Sequence, residues 1–187
     1  ALNNPPQRQN CKIIIQNSIL QFWKQLGEKA QRDFFDKLKN YRRDETMKIG
    51  MLTSGGDCQG LNAALRGVAK ALYQEFGTAV TIYGIRDGYR GLIEGDYHPM
   101  EPQDFSDILT RGGTILGTSR QPFKTMQQAE ENEATKLEKM LDTCRRARFD
   151  CLVILGGNGT HKTANLLSEH GIPVVTLPKT IDNDLWG

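Results

Sequence analysis

From Met47 onward the sequence predicts a layered α/β domain with a mainly parallel sheet and helices on both faces. Three observations carry this. Composition shifts near Met47 from residues rich in Asn, Gln, Lys and Arg to alternating apolar and amphipathic stretches. Short apolar runs then alternate with segments of helical period, which implies parallel strands joined by crossover helices. Three strand-like runs end in glycine or polar chemistry, and parallel strands would bring those loops to one edge of the sheet.

Lys48–Thr53 is a short, mostly apolar strand, and Ser54-Gly55-Gly56-Asp57 is a turn. Leu61, Leu65, Val68, Leu72 and Phe76 recur at helical period, so a helix runs from Asn62 to about Phe76, with Gly77 fitting its C-cap. Ala79–Ile85 reads as the second strand and Asp87-Gly88 as a turn. Asp104–Leu109 is expected as a short helix, followed by the glycine-rich Arg111–Gly117. A charged helix is expected from Glu130 to about Arg146, a buried strand at Cys151–Leu155, a helix at Lys162–His170 and a last strand at Ile172–Leu177, closed by Pro178. The pattern is that of a Rossmann-like domain spanning 47–187. Residues 1–46 form a separate segment. Ile19, Phe22, Trp23, Leu26, Phe34, Phe35 and Leu38 fall there at roughly helical spacing, as one or two amphipathic helices before a charged linker. A peripheral extension or docking arm is the plainer reading of that segment.

A formal net charge of +2 gives no reason to expect nucleic acid or an anionic membrane as the main partner. No apolar run approaches the roughly 20 residues that span a bilayer. Ile13-Ile14-Ile15 is too short, with flanks unlike a signal peptide. Cys11, Cys58, Cys144 and Cys151 form no C-x-x-C pair and read as reduced thiols of a cytoplasmic protein. His98, His161 and His170 lack metal-ligand spacing and are expected at the surface or at helix ends. There is no Walker A pattern and no GxGxxG.

The loops carry the chemistry. Gly55-Gly56 leads toward a helix start, where backbone N–H groups suit phosphate and glycine permits close approach; a structural turn is the alternative. Gly156-Gly157-Asn158-Gly159-Thr160 has the same logic and the same alternative. Thr180-Ile181-Asp182-Asn183-Asp184 places two carboxylates and an amide at a strand end. One could act as a general base while the other orients Mg²⁺ through water, or the segment could be an Asx-rich turn. Lys179 beside it adds a mobile cation suited to phosphate. Arg111–Arg120 adds a second glycine-rich turn, and Arg120 could clamp a transferring phosphoryl group.

Taken together, "IGMLTSGGDCQGLNAALRG", "IRDGYRGL", "RGGTILGTSR", "GGNGT" and "PKTIDND" closely resemble the 6-phosphofructokinases, in that family's order. The resemblance runs from Met47 to Gly187. It implies an N-terminal portion of that domain, incomplete at its C-terminal side, inactive alone and part of a homo-oligomer when full length. It also implies phosphoryl transfer from ATP to the 1-hydroxyl of fructose 6-phosphate with Mg²⁺, in cytoplasmic glycolysis. By this likeness Asp182 would be the general base, and Thr180, Ile181 and Asp182 would meet the sugar. Arg120 and Lys179 would stabilise charge. Gly56, Arg120, Gln121 and Gly156 to Thr160 would bind the donor, and Asp184, with Asn158, would attend Mg²⁺.

Two positions depart from common family patterns. Asn158 stands where an Asp associated with Mg²⁺ is frequent, and an amide is a weaker ligand. Gly159 stands where pyrophosphate users carry an Asp that crowds ATP, so the open position favours ATP, although Lys179 is also found in pyrophosphate users. Arg66 and Lys70 occupy positions comparable to an effector site of bacterial relatives; a solvated helix face is the alternative. A pyrophosphate-dependent enzyme and a non-catalytic nucleotide-binding module are the competing readings. NAD and diacylglycerol kinases share a similar glycine-rich loop but not "TSGGD" or "PKTIDND" in this arrangement.

Overall fold

A computed structural model of the chain describes residues 46–128 and 134–181. The helices expected within residues 1–46 lie outside the described residues, as do Asp182, Asn183 and Asp184.

The strands are β1 (Met47–Ser54), β2 (Val80–Ile85), β3 (Tyr97–Met100), β4 (Cys151–Gly156) and β5 (Val174–Pro178). They form one sheet in the order β3-β2-β1-β4-β5. β1 pairs in parallel with β2 and β4, β4 pairs in parallel with β5, and only β3 runs antiparallel, against β2. The mainly parallel sheet is as expected. β4 is buried along its whole length, as its run of apolar residues requires for a strand covered on both faces.

The helices are α1 (Leu61–Phe76), α2 (Tyr89–Glu94), α3 (Lys136–Ala147) and α4 (Asn158–Glu169). Leu52, Leu152 and Ile154 share a core with apolar residues of α2, α3 and α4. The buried apolar residues of α1, Leu61, Leu65 and Ala69, stand outside that cluster. Right-handed crossovers demand this: the chain leaves β1 toward β2 on one side and leaves β4 toward β5 on the other, so α1 and α4 cover opposite faces.

Several element boundaries differ from expectation, each for a local reason. The helix expected at Asp104–Leu109 is a 3₁₀ turn at Pro102–Phe105, closed by a Glu101/Asp104 capping box. Asp107, at φ 55°, cannot continue it. The charged helix begins at Lys136 rather than Glu130, because Thr135 and Glu138 form a reciprocal capping box. α4 begins at Asn158, not Lys162, so the glycine-rich stretch is already helical. β5 starts at Val174 rather than Ile172. α2 and β3 carry no strong sequence signal. α2 is a six-residue helix between Gly88 and Gly95, both at positive φ. β3 contains Pro99 and is tolerated because it is an edge strand.

Candidate functional site

β1 and β4 are neighbours whose chains depart in opposite directions, which makes the gap between their carboxyl ends the switch point of the sheet. Ser54 and Gly156 are the facing last residues of the two strands. A cleft of about 520 Å³ opens there. Its walls come from three segments the sequence singled out: Ser54 to Gly56 at the end of β1, Gly157, Gly159 and Thr160 at the start of α4, and Lys179 to Ile181 after β5. Arg120, Gln121 and Pro122 close a fourth side.

Close approach of backbone is built into this point. A Cβ on Gly156 would lie 2.4 Å from the Ser54 carbonyl oxygen and 2.6 Å from Thr160 Oγ1, so only glycine fits. Gly55 adopts φ 103°, a conformation that favours glycine, and turns the chain away from β1. Gly159 differs: a Cβ there would meet nothing within 4 Å, so the space above it is open.

The site is electropositive for two reasons. The N-cap of α4 is Gly157, with no side-chain cap and no acidic residue in the first turn. The N–H groups of its first residues therefore keep their capacity for an anion, and the helix dipole favours one. Arg120 and Lys179 add side-chain cations, and none of the described lining residues is a carboxylate. Arg120 makes no hydrogen bond or ion pair among the described residues, whereas the Lys179 ammonium donates to the Thr180 carbonyl at 3.3 Å. The Lys179 backbone N–H donates to Gly156 O at 2.9 Å, which ties the loop after β5 to the end of β4.

Thr160 has a structural share in the cleft. Its hydroxyl donates to Ser54 O at 3.1 Å and its carbonyl accepts from Tyr89 Oη at 2.7 Å. Tyr89 is fully buried, and burial pushes its hydroxyl pKa up, so it acts as a neutral donor. Sequence reading missed Tyr89 as a lining residue. The signal was present in "IRDGYRGL", where an aromatic follows a turn glycine, but nothing local says that it reaches another loop.

Gly56, Arg120, Gln121, Gly157, Gly159, Thr160, Lys179, Thr180 and Ile181 all reach the cleft, whereas Gly156 lies just beneath it as the last residue of β4. Asn158 is the exposed first residue of α4 beside it. Asp182 and Asp184 fall outside the described residues. Among the described residues no group of His, Cys, Asp and Glu is arranged to hold a metal ion. A second hollow, of about 490 Å³, flanks α4 between Phe123, His161 and Glu169. His161 is partly buried there, and desolvation lowers its pKa. His161 lies in the first turn of α4 and His170 caps its end, both at helix ends as expected, and His98 is partly buried on the edge strand β3. On α1, Arg66 donates to the Phe105 carbonyl and Lys70 is exposed. No helix among the described residues is long and apolar enough to cross a membrane.

Residues 48–187 match the family model described as Phosphofructokinase. An ATP-dependent 6-phosphofructokinase of Spirochaeta thermophila is 57% identical over 149 residues, 78% of this chain and 40% of that protein. The ATP-dependent 6-phosphofructokinase 3 of Bacteroides thetaiotaomicron is 43% identical over 142 residues, 75% of this chain and 41% of that protein. The chain thus spans about 40% of the length of the curated relatives it matches. Among solved structures, Pichia pastoris phosphofructokinase in the T-state superposes with a TM-score of 0.66 at 30% identity, covering 77% of this chain and 16% of that one. A pyrophosphate-dependent phosphofructokinase of Marinobacter aquaeolei shares the fold, with a TM-score of 0.58 at 19% identity over 74% of this chain and 35% of that one.

Proposed function

The chain belongs to the phosphofructokinase family, and from that premise we propose that the full-length protein transfers a phosphoryl group from ATP to the 1-hydroxyl of fructose 6-phosphate. The products are fructose 1,6-bisphosphate and ADP, in cytoplasmic glycolysis, and the working form is a homo-oligomer. The observation that carries the reading is an uncapped helix N-terminus, with Arg120 and Lys179 beside it, at the switch point of a parallel sheet.

Phosphoryl transfer asks a protein mainly for positioning and charge stabilisation. The α4 N–H groups, Gly56 and Gln121 hold the donor phosphates. Arg120, without a partner among the described residues, presents its planar donors to the group in flight, and Lys179 adds a second positive charge. Asp182 takes the proton of the attacking hydroxyl while Thr180 and Ile181 orient the sugar. The oxygen of that hydroxyl bonds to phosphorus as the bond to the leaving ADP oxygen breaks. Mg²⁺ would neutralise charge on the donor phosphates. The described donor set, with the Thr160 hydroxyl in the cleft and the Asn158 amide beside it, suits an ion held largely through water and phosphate, with Asp184 as the protein carboxylate.

The space open above Gly159 supports ATP, because a nucleotide has an α-phosphate to accommodate there. Pyrophosphate is the second reading, favoured by Lys179, whose side chain lies across the start of α1, with its Cε 3.2 Å from where a Gly60 Cβ would stand. The 187 residues alone are expected to bind donor without turnover. A coupled assay of the full-length protein with ATP and pyrophosphate side by side tests the proposal. ATP-dependent formation of the bisphosphate is expected, and activity with pyrophosphate alone would overturn the donor assignment.

A further inference from the structure

A largely buried ring of hydrogen bonds closes beside the cleft. Thr160 Oγ1 donates to Ser54 O at 3.1 Å. Ser54 Oγ donates to Ser119 O at 3.3 Å. Ser119 Oγ donates to Asp87 O at 2.5 Å. Two residues further on, Tyr89 Oη donates to Thr160 O at 2.7 Å and returns the ring to its start. The ring joins the ends of β1 and β2, the first turn of α4 and the loop before Arg120, and it uses no charged group.

Ser119 is its junction. Its carbonyl accepts from both the Gly55 N–H, at 3.2 Å, and Ser54 Oγ, while its hydroxyl supplies the link to the Asp87 turn. It directly precedes Arg120, whose guanidinium has no partner among the described residues to hold it. A Cβ on Gly56 would stand 3.9 Å from Arg120 Nη2, so the guanidinium lies over the Gly55-Gly56 turn that Ser119 also grips. An arginine that must meet a moving phosphoryl group needs its backbone held on more than one side. A misplacement of about 1 Å at such a centre costs on the order of 10²-fold in rate.

We propose that Ser119 is a positioning residue, whose hydroxyl, by anchoring its loop to the Asp87 turn, sets Arg120 at the transfer end of the cleft. This rests on the function proposed above. Removing the hydroxyl leaves the carbonyl bonds to Gly55 and Ser54 in place, together with Thr118 Oγ1 on Gly55 O at 3.0 Å and the Asp87 N–H on Leu116 O at 2.8 Å, so the fold and the donor-binding N–H groups persist while the residue next to Arg120 loses its own link to the Asp87 turn. The effect belongs to the transition state more than to donor binding.

The test compares wild type, Ser119→Ala and Ser119→Thr in the full-length protein, by kcat with ATP and fructose 6-phosphate, by calorimetric ATP affinity and by Tm. For Ser119→Ala, kcat is expected to fall about tenfold. ATP Kd should stay within about twofold and Tm within a few degrees, and Ser119→Thr should restore most of kcat because it keeps the hydroxyl. Three results overturn the inference while leaving the function standing: an alanine variant with near wild-type kcat, a parallel loss of kcat, affinity and Tm, or no rescue by threonine. A wild type without ATP-dependent turnover removes the functional reading, and the inference with it.

Discussion

Gly156 stands so close to Ser54 that a Cβ on it would lie 2.4 Å from the Ser54 carbonyl oxygen. This contact joins the carboxyl ends of β1 and β4 at the switch point, and it lets the Thr160 hydroxyl reach the same oxygen. Gly156→Ala must push a Cβ against the Ser54 backbone and the buried Thr160 side chain. The variant should lose about 1–3 kcal/mol of stability, the usual cost of overpacking. Chemical denaturation measures it, and an unchanged midpoint would show that the strands separate freely.

Gly159 makes the opposite case. An added side chain there meets nothing within 4 Å, and an acidic residue in the first turn suits the α4 dipole. Gly159→Asp is therefore expected to keep or raise Tm. Its carboxylate would repel the nucleotide phosphates, and ATP-dependent kcat/KM should drop on the order of tenfold or more. Retained ATP activity would remove Gly159 as the donor determinant.

Asp182→Ala tests the base assignment in the full-length protein. The expected loss in kcat is about 10²–10⁴-fold, with ATP affinity nearly unchanged. A loss of only a few-fold would reassign the base.

The cysteines offer a test independent of catalysis. Cys58, Cys144 and Cys151 are all free thiols. Burial pushes the Cys144 and Cys151 thiols up to about 12, whereas Cys58 is only partly buried in the loop after β1. Of these three, Cys58 alone should react readily with a thiol reagent near neutral pH, and the other two only after unfolding. Peptide mapping of the labelled native protein decides it.

His161 predicts a pH dependence. Desolvation lowers its pKa in the fold below the ordinary 6.5, and its Nε2 is buried without a hydrogen-bond partner among the described residues. The unfolded chain therefore binds the proton more readily. The contribution of this group is intact above about pH 6.5 and is lost as pH falls toward the lowered folded pKa. His161→Gln should flatten the stability profile on that acidic side, and an unchanged profile would show that His161 does not titrate against folding.

Much of the fold was legible because the signals are local. The apolar runs of β1, β2 and β4 and the period of α1 sit within single segments. α2 and β3 were not legible, because a six-residue helix between two glycines and an edge strand containing Pro99 owe their existence to neighbours. The early start of α4 was missed because glycine reads as a break, yet at a helix's first turn it costs little and leaves N–H groups free.

The sequence by itself determined the family, the strand-ending loops and the residue types suited to phosphate, since motif order and glycine placement are properties of the chain. Only the tertiary structure decided which of these glycines is locked and which is open. It also decided that Ser54, Ser119, Asp87, Tyr89 and Thr160 close a ring. Those residues span more than a hundred positions, and hydrogen bonds form between neighbours in space, which the crossover from β1 to β4 creates.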